Sequence, residues 1–391
     1  MRAARLLWLL VFLGTTLTGV PGCGLQSDAI VVIALHPKNP NILYIATNDY
    51  IYKSRDEGRS WEAISHGMSH SRVIAMAIDP AYPATVYAGT KGDAVYKSYD
   101  GGQRWVSQRT GLDDVTVTSV VNQIVFDPGD VDTRPPQARQ DAPLPVDIRP
   151  PQASSHPSAP SLPRQAPVPG DAPLPVTRLF AATTMGVFES EDGGDTWTKR
   201  MAGMKEILMV VTLAIDPFRP DIMYAGTSGG VYKSSDRART WTKVHQGMIS
   251  SDVLSSGRAL MVNTVLIDPQ RPDTVYAATL NGLYKTEDGA RSWTRTGQDL
   301  PDQMISALAL DPSWPSTLYV AGRQGVFKSI DGGRTWQGKN AGLASLNVRS
   351  LALSPEDPKT VYLGTNGSGL YRSRDGGETW EPLPLTAAKR T

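Results

Sequence analysis

The sequence predicts an all-β fold: a single seven-bladed β-propeller of four-stranded antiparallel blades, with a disordered Pro-rich insertion in the third blade. Three observations carry this reading. Seven near-copies of Ser-x-Asp-x-Gly-x-Thr-Trp recur every 43–44 residues where nothing interrupts them. Five are preceded by an apolar stretch ending in Asp-Pro and the outer two by His-Pro and Ser-Pro, with an aromatic residue eight positions on in all but the third repeat. Short β-prone runs separated by Pro and Gly fill the rest. A fixed period of this length in strand-like units signals a ring of stacked sheets.

The motif copies begin at Ser54, Ser98, Ser190, Ser234, Thr286, Ser329 and Ser373. Their carboxylates are Asp56, Asp100, Asp192, Asp236, Asp288, Asp331 and Asp375. Their closing residues are Trp61, Trp105, Trp197, Trp241, Trp293, Trp336 and Trp380. The motif falls between the third and fourth strands of a blade. There a carboxylate can accept turn N–H groups, glycine suits a positive φ, and tryptophan supplies apolar area for packing. Seven carboxylates in identical surroundings read as scaffold, because catalysis needs unlike groups converging on one point. Ala238 and Ala290 stand where the motif has glycine, so those two turns are either less strained or slightly destabilised.

The first apolar stretches end at Asp79-Pro80, Asp127-Pro128, Asp216-Pro217, Asp268-Pro269 and Asp311-Pro312, with His36-Pro37 and Ser354-Pro355 in the outer copies. Proline stops a strand because it has no N–H to donate. The aromatics are Tyr44, Tyr87, Tyr224, Tyr276, Tyr319 and Tyr362, with Phe180 in the third repeat. Gly-apolar pairs follow most tryptophans, as at Gly67-Met68 and Gly111-Leu112, and read as anchors where the chain crosses to the next blade. First and last strands lie at the two ends of the repeat region, so the ring can close without a swapped strand.

The third repeat holds 45 extra residues, 132–176. RPPQA occurs there at Arg134 and Arg149, and DAPLPV at Asp141 and Asp171. This composition builds no core. It reads as a tandem duplication tolerated in a surface loop, with a docking tether as the functional alternative.

Residues 1–23 have Arg2 and Arg5, an apolar run from Leu6 to Leu13, then small and polar residues to Cys23. That is the plan of an export signal, with an apolar run too short to span a bilayer. Val20-Pro21-Gly22-Cys23 resembles a bacterial lipobox, which implies lipidation of Cys23 and an envelope-anchored protein. Ordinary cleavage nearby and an uncleaved anchor are the alternatives. The propeller is expected over 29–385. Charge is balanced, 39 basic against 38 acidic residues, which leaves no footprint for nucleic acid. One cysteine excludes an internal disulfide.

Antiparallel alternation puts the second-to-third-strand loops and the blade crossings on one face, around the central channel. Tyr50, Arg72, Asn281, Arg323, Arg349 and Asn366 are the candidate binding residues there. No catalytic set, metal site or cofactor motif emerges. His66 and His70 lack a third ligand, and Asp113-Asp114 is an adjacent pair whose side chains diverge.

The seven motifs resemble the bacterial neuraminidase repeat, or Asp-box, over about 29–385 less the insertion. That group includes sialidases, sortilin-like receptors, xyloglucan-type glycoside hydrolases and photosystem II assembly and stability factors. The Arg-Ile-Pro element of sialidases, the second propeller of the hydrolases and the cysteine-rich module of the receptors have no counterpart in this sequence. The resemblance is therefore strongest to the single-propeller assembly factors, which implies partner binding. The expected function is a monomeric, lipid-anchored scaffold for a protein or glycan partner. The alternative is a glycoside hydrolase using two of Asp93, Glu206 and Asp252.

Overall fold

A computed structural model describes residues 29–68, 72–112, 120–130, 177–204, 209–248, 260–301 and 305–385. The expected leader, 1–23, and insertion, 132–176, lie outside the described residues. The chain is a seven-bladed propeller. Seven sheets each contain four strands consecutive in sequence. Blade 1 is Val32–Leu35, Leu43–Ala46, Ile51–Ser54 and Glu62–Ala63, paired antiparallel throughout. The innermost strands of blades 2–7 are Val73–Ile78, Val121–Phe126, Val210–Ile215, Val262–Ile267, Ile305–Leu310 and Val348–Leu353. Each innermost strand packs on its neighbours, and that of blade 7 packs on that of blade 1.

The core lies between blades, not within them. Each of the seven apolar clusters draws on two neighbouring sheets. A blade's second and third strands are almost wholly buried, as at Val275–Thr279 and Gly282–Thr286. One sheet could not cover both its faces alone, so ring closure completes the burial. The seven motif tryptophans are 1–8% exposed. The indole Nε1 of Trp105, Trp241, Trp293 and Trp380 donates to a carbonyl of the preceding blade.

The motif turn follows one plan seven times. The Ser or Thr hydroxyl donates to Asp Oδ1 at 2.7–2.8 Å. That Ser or Thr hydroxyl oxygen itself accepts the N–H of the fifth motif residue at 2.7–3.1 Å. In six copies the hydroxyl before the tryptophan donates to Asp Oδ2 at 2.5–2.6 Å. Fourth and fifth motif residues both sit at positive φ. Ala238 and Ala290 keep that conformation, at 62° and 71°. Their turns are thus not relaxed; the hydrogen bonds hold alanine where glycine fits better.

The aromatic of the second strand has a role that crosses the blade interface. Tyr44, Tyr87, Tyr276 and Tyr319 donate their hydroxyls to the fourth-position carbonyl of the next motif, at 2.7–3.2 Å. Lys53, Lys233 and Lys328 of the third strand reach the same row of carbonyls at 2.7–2.8 Å. Blade 3 replaces the pair with Phe180 and Glu189. There Arg237 at the fourth position of the next motif reaches back to Asp127, at 3.3 Å.

The motif turns make folding pH-dependent. Hydroxyl donation from Ser292 and Thr335 holds Asp288 and Asp331 below the usual carboxylate range. Burial pushes Asp56, Asp192, Asp236 and Asp375 upward, but their hydroxyl and N–H donors together outweigh it. Asp375 falls to about 2. A carboxyl depressed on folding stabilises above its unfolded pKa and loses that contribution as pH falls through the folded one. Melting temperature should therefore stay level above pH ~5 and drop between pH ~4 and ~2. A melting profile flat down to pH ~2.5 would refute this.

Candidate binding face

The innermost strands run from the crossing face to the motif face, and six of them begin with a β-bulge. The bulged residues are Ile74, Asn122, Val211, Asn263, Ser306 and Arg349. A bulge leaves one residue outside the ladder and re-aims its side chain. Asn122 and Asn263 use theirs to donate to Val210 O and Ile305 O of the next blade, at 2.8 and 3.1 Å. Arg349 is exposed. It is the only charged residue in all seven innermost strands. An uncharged channel wall thus carries one guanidinium at its mouth.

The remaining candidates occupy the loops of the same face. Tyr50 lies between second and third strands of blade 1. It is 51% exposed and meets Tyr52 edge-on at 6.1 Å. Arg323 holds the equivalent loop in blade 6 and is exposed. Asn366 holds it in blade 7, where its N–H donates to Asn347 O at 2.8 Å and its backbone bridges to Ala29. Arg72 sits at the crossing into blade 2. Its carbonyl accepts the Lys91 N–H at 2.9 Å, and its Nε is buried without a partner. These five therefore share one sector, blades 6, 7, 1 and 2. Asn281 stands apart in blade 5, 8% exposed, its Nδ2 unpartnered.

Charge in this sector is lopsided among the described residues. The second-to-third-strand loops hold Lys91 and Arg323 with Asp49 and Asp93, and Arg72 and Arg349 add two more cations beside them. Asp93 is 6% exposed and already engaged by the Tyr96 hydroxyl and the Arg109 guanidinium. It is therefore no free acid or base. Glu206, Asp252, His70, Asp113 and Asp114 lie outside the described residues. Sequence reasoning missed the bulge ring. At four of the six its signal is a polar residue in second place of a mostly apolar strand, as in Val-Asn at 121 and 262 and Val-Arg at 348; Ile74 and Val211 carry no such mark.

Comparison with known proteins places the molecule. A curated xyloglucanase of Hypocrea jecorina (strain QM6a) is 30% identical over 95 residues, 24% of this chain. This chain spans only about a tenth of that enzyme's length (11%). The crystal structure of an ancestral GH74 enzyme superposes with a TM-score of 0.62 at 16% identity, over 91% of this chain and 46% of the other. YCF48 bound to D1 peptide gives 0.54 at 15% identity, over 90% of this chain and 94% of that one. At such identities the likeness is one of fold. The family model described as the DUF6242 beta propeller domain matches residues 179–389, more than half the sequence, and the chain belongs to that family.

Proposed function

We propose that this protein is an exported, non-catalytic scaffold that holds an acidic segment of a protein partner against the channel face. Lipid on Cys23 anchors it, residues 1–23 are the signal, 29–385 the propeller and 132–176 an insertion. The observation that carries the reading is Arg349, a lone exposed cation at the mouth of an otherwise uncharged wall. Arg323 on blade 6 and Arg72 at the crossing into blade 2 extend the same sign. Like-signed groups around a mouth draw an oppositely charged partner and set its register. YCF48 with its D1 peptide supports the reading, as a propeller of this shape that holds a peptide. Exposed charge pairs are individually weak, so the contacts must act together.

A glycan-cleaving reading has behind it the xyloglucanase match and the fold shared with the ancestral GH74 enzyme. It requires two free carboxyls about 5–9.5 Å apart. Asp93 is engaged by Tyr96 and Arg109, so it does not supply one.

Capture from the native envelope, followed by mass spectrometry, tests the proposal. The intact protein should retain a specific membrane protein, and Arg323→Glu/Arg349→Glu should lose it at least tenfold. Equal recovery by both forms, or recovery of shortened polysaccharide, would sink it.

A further inference from the structure

The motif face carries an arc of linked loops. Between the first and second strands of blade 4, Phe218 is 73% exposed. In the same loop of blade 6, Trp314 is 71% exposed. Side chains tie the intervening loops together. Arg219 of blade 4 donates to Asp273 of blade 5 at 3.2 Å. Gln270 of blade 5 donates to Ser313 O of blade 6 at 3.0 Å. Between the two rings lies an open hollow of about 440 Å³ lined by Arg271, Pro272, Asp273, Thr274 and Glu287. Asp273 and Glu287 pair with Arg219 and Lys285, yet remain 66% and 64% exposed.

The chain itself supplies a matching segment at one end of this arc. Residues 131–176 leave from the corresponding loop of blade 3. The exit lies against the arc, since a Cβ on Gly129 would meet Pro220 Cγ at 3.0 Å. The departing sequence carries Arg134-Pro135-Pro136 and Arg149-Pro150-Pro151. Proline-rich segments dock on exposed aromatic rings at little entropic cost, because they are extended beforehand. An arginine beside the prolines can add a bond to a carboxylate.

We propose that the insertion docks on this arc within its own molecule. The Arg-Pro-Pro copies pack against Phe218 and Trp314, and an arginine reaches Asp273 or Glu287. Reach permits it. Arg149 follows Asp130 by 19 residues, about 60 Å of polyproline-like chain. Blade 3 to blade 6 is three interfaces, about 30 Å at the usual sheet spacing. Tethering raises the effective concentration to the millimolar range, so even weak docking is populated.

Trp314 reports on the docking. The motif tryptophans are at most 8% exposed and cleavage before Cys23 removes Trp8, so quenching of the mature protein by acrylamide reads Trp314. Replacing residues 132–175 with a short Gly-Ser loop should raise the quenchable fraction by about one of the eight tryptophans that remain once the leader with Trp8 is removed. Arg134→Glu/Arg149→Glu in the full chain should do the same. A peptide spanning 132–152, added to the shortened chain, should reverse the rise, and Phe218→Ala should weaken that reversal. Identical quenching with and without the insertion would overturn the proposal. So would protection that depends on protein concentration, which would mean that a second copy supplies the segment.

Discussion

Gly111→Ala should destabilise the fold by more than ~3 kcal/mol, although it adds one methyl group to a surface crossing. Gly111 has φ of 83°, and a Cβ there would lie 1.8 Å from the carbonyl oxygen of Trp197 in the next blade. The left-handed backbone alone costs an alanine about 1–2 kcal/mol. The clash adds more, because its partner is backbone and that backbone is fixed. Trp197 N–H donates to Thr110 O at 2.9 Å, beside the glycine, and the indole is 4% exposed. Relief therefore requires moving blade 3 away from blade 2. Gly203, Gly342 and Gly247 meet the next tryptophan carbonyl at 2.0, 2.1 and 2.2 Å, while Gly67 meets it at 2.9 Å. Alanine at Gly67 should thus be the mildest of the five. Chemical denaturation of the series checks the order, and a loss under ~1 kcal/mol at Gly111 would contradict it.

Arg372→Ala should weaken ring closure by about 3 kcal/mol, well beyond the same change at Lys233. The seam between blades 7 and 1 departs from the others. Trp61 is 1% exposed, yet its Nε1 has no acceptor, whereas Trp105, Trp241, Trp293 and Trp380 each bond to the blade before, and Trp197 and Trp336 to a carbonyl of their own motif. Charge takes over that work. Arg372, 7% exposed, donates to Glu57 O at 3.1 Å and to Glu57 Oε2 at 3.0 Å, and pairs with Glu381 at 2.6 Å. Arg374 also binds Glu57. Removing Arg372 leaves Glu57 half-sheltered with only the exposed Arg374 and Arg59 beside it, whereas Lys233 makes a single hydrogen bond, to Gly289 O. Backbone hydrogen exchange should then rise first in blades 1 and 7. Equal losses for the two variants, or exchange spread evenly around the ring, would refute a weak seam.

Much of this architecture is legible in the sequence because it repeats. The period gives the blades, and antiparallel alternation gives the two faces. Less visible is what joins one blade to the next. The spacing from Asp-Pro to the aromatic marks a position, but nothing local says that Tyr44 reaches a carbonyl 57 residues away. Gly-apolar pairs mark the crossings, but the demand for glycine comes from a tryptophan carbonyl in another sheet. The bulges hide for a related reason, since a bulge exists only relative to a partner strand's register. Asp93 looks like an available loop carboxylate until Tyr96 and Arg109 are found on it. Its partners lie 3 and 16 positions along the chain, and no spacing rule predicts that contact.

The channel face as the binding face is the central claim, and two tyrosines isolate it. Tyr50 lies on that face at 51% exposure, and Tyr99 lies on the motif face at 47%. A photo-crosslinking residue at either position is equally accessible to solvent. In intact envelopes, position 50 should trap a discrete partner, the trapping should weaken in Arg323→Glu/Arg349→Glu, and position 99 should trap none. A partner caught from position 99 and not from position 50 would contradict the account.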